Sequence, residues 1–201
     1  MDDTYKTIKQ KAEGVFKDKG SKFLSFAFPV QNEQEIKEII HSLKKKHHSA
    51  RHHCYAWRLG AEEIRFRAND DGEPSSTAGK PILGQLISYG LTNTLIVVAR
   101  YFGGTLLGAS GLVNAYKNAA SDALNNAEIV ENLIETIFKI DFTYNELNKV
   151  MSVIKNENLK QLKTDLLEDC SIIFAVRKSE ASRVEKIFKD IFRVEITPAK
   201  N

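Results

Sequence analysis

Between Thr94 and Arg100 the chain runs Leu95-Ile96-Val97-Val98-Ala99 without a polar residue. A strand with no polar face needs apolar cover on both sides, as a central strand between two layers has. A glycine-rich stretch, residues 102–111, follows at once, and a long helix is expected from about Ala109 to Asn125. Its Ala115, Ala119, Ala120 and Ala123 are small enough to let that helix lie close on a sheet. The first part of the chain is therefore expected to be a layered α+β domain.

The flanking segments fit that frame. Residues 9–30 read as a hairpin turning at Asp18-Lys19-Gly20 and closed by Pro29. Asn32 with Glu35 has capping-box spacing, and Ile36, Ile39, Ile40 and Leu43 make one apolar helical stripe. Lys44 to His48 then suit the negative end of the helix dipole. Strands are expected at residues 54–59 and 64–67, the second with Ile64 and Phe66 on one face and Arg65 and Arg67 on the other. After a polar loop, Pro81 opens a short helix that buries Ile82, Leu83, Leu86 and Ile87 and stops at Gly90.

The apolar pattern pauses at residues 127–132 and restarts. A strand at 133–141, a helix at 146–156, strands at 159–167 and 170–177, a helix capped by Ser179 and a strand at 192–197 follow. That order, β-α-β-β-α-β, is the ferredoxin-like split. The expected domains are residues 1–130 and 131–201.

Composition excludes several classes. No apolar run approaches the roughly 18 residues of a membrane span, and the opening Met1-Asp2-Asp3-Thr4-Tyr5-Lys6 has no signal-peptide character. The two cysteines, Cys54 and Cys170, fall in different expected domains, so no disulfide framework is expected and a reducing, cytoplasmic setting fits. With 29 basic and 26 acidic residues the net charge is +3, which permits a nucleic-acid partner only if the cations gather on one face.

Four groups of residues carry chemical possibilities. The first is the strand–glycine–helix unit with Arg100, Gly103, Gly104, Gly108, Ser110 and Gly111, where backbone N–H groups and a helix N-terminus favour an anion. Its spacing mimics a P-loop, but Ala109 stands where the lysine belongs, so an ordinary P-loop nucleotidase is excluded. The second is Asp70, Asp71 and Glu73, whose carboxylates suit a hard cation or divided acid and base roles, with Lys80 beyond them for a phosphate. The plain alternative is a polar turn before a capped helix.

The third group crowds four of the five histidines beside Cys54. His52 and Cys54 share a strand face, yet no second ligand pair with zinc spacing exists, and no metal or other cofactor is expected. Here a Cys–His nucleophile competes with a buried Cys54 beside a polar His52 near a pocket. The fourth interleaves cations and aromatics: Lys17, Lys19, Lys22, Arg51, Arg58, Arg65 and Arg67 with Phe23, Tyr55 and Trp57. On one sheet face these contact phosphates and stack on bases. Solvated strand faces are the alternative.

Three blocks together resemble one known family. They are Ala50-Arg51-His52-His53-Cys54-Tyr55-Ala56, the run from Asp70-Asp71-Gly72-Glu73-Pro74 to Gly79-Lys80-Pro81, and Arg100-Tyr101-Phe102-Gly103-Gly104 with Leu107-Gly108-Ala109-Ser110-Gly111-Leu112. On these the chain resembles the YigZ/IMPACT family over essentially its whole length. The resemblance implies a first domain like domain IV of elongation factor G, a fold also seen in a small-subunit ribosomal protein. It implies a ferredoxin-like second domain similar to that factor's domain V. The resemblance implies translational control, in which eukaryotic relatives act, and nucleic-acid or ribosome binding is the usual suggestion for bacterial ones. Here Leu106 replaces a usual lysine, Ser76 and Ser110 replace glycines, and Asn114 replaces a frequent arginine. Two cations are thereby lost near the glycine turn, which leaves Arg100, Lys80 and the hairpin lysines as the better phosphate contacts.

The leading expectation is a non-enzymatic, translation-linked protein that binds RNA, the ribosome or a ribosome-associated protein. The rival is a small-molecule enzyme acting on a phosphorylated or peptide substrate in a pocket between the acidic loop and the glycine turn.

Overall fold

The computed structural model describes residues 3–167 and 169–199. The chain divides into two compact units, Tyr5–Asn132 and residues 133–199 together with residues 3–4. A short two-stranded sheet pairs β1 (Thr4–Ile8) with β7 (Ile129–Leu133). Neither strand was expected, because each is brief and mixed in polarity.

The first unit is built on β2 (Ala12–Asp18), β3 (Ser21–Pro29), β4 (His52–Leu59), β5 (Arg65–Asn69) and β6 (Thr94–Tyr101), with α1 (Glu33–Lys46), α2 (Gly79–Ser88) and α3 (Gly108–Asn125). The sheet order is β2-β3-β6-β4-β5, and all neighbours are antiparallel. Strand β6 is central, and its apolar run is shared between two cores. Leu95, Val97 and Ala99 pack with Phe26, Trp57 and Leu59 under Ile36 and Leu43 of α1. Ile96 and Val98 pack with Ile82 and Leu86 of α2 and Ala115 and Ala119 of α3. Burying a side chain of this size stabilises by roughly 1.5–3 kcal/mol, so this strand alone commits the chain to three layers.

Local chemistry explains the connections. Asp18 pairs with Ser21 across a two-residue turn, with φ of +42° at Lys19 and +80° at Gly20. That left-handed pair matches the twist of the flanking strands. Asn32 caps α1 by accepting from Glu35 N–H at 2.9 Å, while Glu35 reaches back to Gln31 N–H rather than to Asn32. Residues 64–67 depart from expectation: the strand is Arg65–Asn69, and Phe66 is 65% exposed. It is an edge strand, and alternation predicts burial only where another layer covers the face. Ile87 of α2 is likewise exposed.

The second unit contains β8 (Glu135–Thr143), α4 (Leu147–Asn156), β9 (Lys160–Asp165), β10 (Asp169–Arg177), α5 (Ala181–Lys189) and β11 (Val194–Pro198). Its sheet order, β11-β8-β10-β9, is that of the ferredoxin-like fold. Phe138, Ile140, Ile172 and Phe174 meet Val150 and Ile154 of α4 and Val184 and Phe188 of α5. Ser179 does not cap α5: a 3-10 turn, Lys178–Glu180, intervenes, and Ser179 N–H donates to Asp3. Asp3 also accepts from Nε and Nη2 of Arg177, both at 2.6 Å. These hydrogen bonds, that of Arg177 foremost, hold its carboxyl well below the usual range.

The expected boundary at 130/131 lies close to the start of the second unit at Leu133, but residues 3–4 join that unit. We propose that the first unit folds alone. Limited proteolysis should leave a stable fragment spanning residues 5–132. An isolated 5–132 chain whose amide NMR spectrum is undispersed would refute this.

Candidate functional site

One end of the five-stranded sheet gathers four connections. The β2–β3 turn lies there, because Lys22 pairs with Tyr101 at the end of β6. The start of β4 lies there, because His52 pairs with Arg100. The end of β5 follows, with Asn69 opposite Tyr55. The β5–α2 and β6–α3 loops therefore leave the sheet side by side.

The three loop carboxylates have separate duties. Asp70 accepts from Ser76 N–H at 2.9 Å, Ala78 N–H at 3.0 Å and Gly79 N–H at 2.8 Å. It thus caps α2 from outside the helix, where no cap-residue side chain does so. Burial raises its carboxyl, and the three N–H groups, led by that of Gly79, outweigh burial and hold it below the usual range. Asp71 accepts from His53 N–H at 2.7 Å and from Lys44 at 2.8 Å. Burial raises it too, but these partners, Lys44 foremost, pull its carboxyl down. Glu73 turns inward: its Oε1 accepts from Arg100 Nη1 at 2.6 Å and from the Tyr116 hydroxyl at 2.8 Å. The three do not converge on one cation. Among the described residues no cluster of three or more His, Cys, Asp and Glu side chains is placed to hold a metal.

Cys54 lies at 3.0 Å from the Asp70 carbonyl and 3.2 Å from the Tyr116 hydroxyl, and its S–H donates to them. Burial pushes the Cys54 thiol and the Tyr116 phenol far up, so both stay protonated. A fully buried, neutral thiol is a packing group and not a nucleophile. His52, two residues earlier on the same strand face, meets the same loop one residue further on. Its Nδ1 lies 2.8 Å from the Asp71 carbonyl oxygen, which can only accept, so Nδ1 carries the proton. Its Nε2 stands 4.0 Å from Glu73.

His52, Glu73, Arg100 and Gly108 line one cleft of about 360 Å³. Arg51, Phe102 and Leu107 also line it. The acidic loop and the glycine turn thus share a cavity, to which Asp70, Asp71 and Cys54 contribute no lining. Lys80 is exposed on α2, and Ser110 and Gly111 sit within α3 away from the lining. Gly104 is open, with nothing within 4 Å of where a Cβ would stand. Gly103 is structural: a Cβ there would lie 1.9 Å from the Gly20 carbonyl carbon. The hairpin tip therefore rests on the glycine loop.

That contact sorts the cations. Lys17 and Lys22 oppose each other across the hairpin, Lys19 is in its turn, and Arg51 and Arg100 lie 5.9 and 5.7 Å from the Phe102 ring. Arg65 and Arg67 do not join them. They sit on β5, the far edge from β2, about 19 Å away at roughly 4.8 Å per strand, and Arg65 pairs with Glu33 at 2.8 Å. A single basic face including both groups is thus not formed. Phe102 and Leu107 stand in the block that carries the resemblance but are not among the expected site residues, and Tyr116, the lone aromatic of α3, lies outside those blocks.

The fold and this cleft define a two-unit α+β protein whose first unit matches the Impact N-terminal domain over residues 19–124. The chain belongs to the IMPACT family. It is 39% identical over 152 residues to the IMPACT family member YvyE of Bacillus subtilis, covering 76% of this chain and 70% of that protein. It is 34% identical over 149 residues to the IMPACT family member YigZ of Escherichia coli, covering 73% of each. A crystal structure described as that of a hypothetical protein matches with a TM-score of 0.74 at 26% identity, over 100% of both chains. Among the described residues no helix is long and apolar enough to cross a membrane.

Proposed function

We propose that this chain is a translation-linked regulatory protein that binds RNA, the ribosome or a ribosome-associated protein through the loop end of its first unit. Family membership supports the translational setting, since the resemblance implies translational control among eukaryotic relatives. The observation that carries the binding surface is the hairpin tip seated on the glycine loop. Gly103 packs against Gly20 of the turn, and Lys17, Lys19 and Lys22 lie at the same end of the sheet as Arg51 and the 40% exposed Phe102. Cations that follow a phosphate backbone next to an aromatic ring are the elements of single-strand recognition.

Filter binding with ribosomes and bulk RNA tests this. Affinity should fall steeply with salt, and replacing Lys17, Lys19 and Lys22 together by alanine should flatten the log–log slope by about 2, at about 0.7 per phosphate contact. Arg65→Ala and Arg67→Ala should leave it unchanged. Equal loss at both edges, or no binding at low salt, would overturn the surface.

A second reading, a small-molecule enzyme, is favoured by one observation. His52 is held by the Asp71 carbonyl with Nε2 free toward Glu73, as a general base is held. Loss of a turnover by His52→Gln, with folding intact, would be its mark.

A further inference from the structure

We infer that the cleft is a binding site for a phosphate monoester, seated between Arg100 and the first turn of α3. The inference stands on the cleft alone and holds whether or not RNA binds the hairpin.

Arg100 is 6% exposed and lines the cleft. Glu73 engages only its Nη1, and Nε is buried with no hydrogen-bond partner. A buried N–H without an acceptor has given up its water and gained nothing in exchange. The Nε/Nη2 edge is the one with which Arg177 grips both oxygens of Asp3. On Arg100 that edge holds no carboxylate, and the residue lines the cleft, so a two-oxygen acceptor there would give Nε its missing partner.

The same cleft is lined by the start of α3, an 18-residue helix that no side chain caps. Its first-turn N–H groups have no intrahelical partner and carry the positive end of the dipole. Leu107 is right-handed helical and Gly108 follows at φ +71°, the alternation of hands that turns successive N–H groups inward around an anion. Leu107, Gly108 and Ala109 all line the cleft.

Charge and shape select the ligand. Glu73 is offset by Arg100, which leaves Arg51 and the helix terminus as a net positive field. A carboxylate's two oxygens are used up by the guanidinium edge. A phosphate has further oxygens for the helix N–H groups. The cleft has a volume of about 360 Å³. With Phe102, Leu106 and Leu112 on its walls, it accepts an organic group as well as the phosphate.

NMR titration of the full chain at constant ionic strength tests this with inorganic phosphate, phenyl phosphate and acetate. Phenyl phosphate should give saturable shifts in the amides of residues 107–110 and in Arg100 Nε–H, and should bind more tightly than inorganic phosphate. Arg100→Lys keeps the charge but loses the two-donor edge, and should weaken phenyl phosphate by about tenfold or more. Arg51→Ala, at an exposed position, should weaken it with the spectrum otherwise unchanged, which serves if the Arg100 variant fails to fold. An RNA oligomer with and without a 5′-phosphate separates the two sources: dependence on that phosphate assigns the site to RNA ends, and indifference assigns it to small esters. No saturable shift from either phosphate, acetate binding as tightly, or wild-type affinity in both variants would overturn the inference.

Discussion

Replacing Glu73 by alanine will destabilise the first unit by about 3–5 kcal/mol, the range for breaking a buried ion pair by removing one partner. The side chains of Glu73 and Arg100 are 4% and 7% exposed, so neither charge has water to fall back on. Alanine strands the guanidinium and leaves the buried Tyr116 hydroxyl without its acceptor. Glu73→Gln keeps an oxygen for Tyr116 and should cost less. Removing both charges, as Glu73→Gln with Arg100→Met, should cost less than the sum of the single changes, because no unpaired charge remains buried. The single tryptophan, Trp57, lies in the first unit and is buried there, so its fluorescence in urea reports this unit's midpoint. A loss under about 1 kcal/mol, the size of an exposed pair, would mean that water reaches the pair in solution.

Gly103→Ala should cost at least about 1–3 kcal/mol, the range for forcing atoms into a packed site. The added Cβ would stand 1.9 Å from the Gly20 carbonyl carbon and 2.2 Å from Gly20 O and Ser21 N. All three are backbone atoms and cannot swing aside as a side-chain tip can. The hairpin tip must lift from the loop, and the bond from Gly103 N–H to Ser21 Oγ is lost. RNA affinity should fall with it, since the tip that carries Lys19 then leaves the glycine loop. Gly84→Ala is the matched control: nothing lies within 4 Å of its Cβ position, and it sits inside α2. There alanine should stabilise by about 0.5–1 kcal/mol through helix propensity. Opposite signs for one chemical change would separate contact from conformation. Equal signs would show that the tip does not rest on the loop.

The two units and the glycine-to-helix junction were legible in the chain itself. The five-residue apolar run of β6 admits only a strand covered on both faces, and the helical stripes and turn residues are statements about neighbours a few positions apart. Hydropathy and backbone preference act at that range, so the chain determined its layers, the hairpin turn and the β-α-β-β-α-β order unaided. The duties of Asp70, Asp71 and Glu73 were decided by the tertiary structure. In sequence they are three acids in one polar loop; in the fold they cap a helix, brace β4 with Lys44, and neutralise a buried arginine. The partners that separate them, Arg100 and Tyr116, lie 27 and 43 positions from Glu73. Arg65 and Arg67 alternate as well as any strand residues, yet sheet order sets them at the opposite edge from the hairpin lysines. Strand order depends on which edges find partners and which faces find cover, and that balance is struck only when the whole sheet closes.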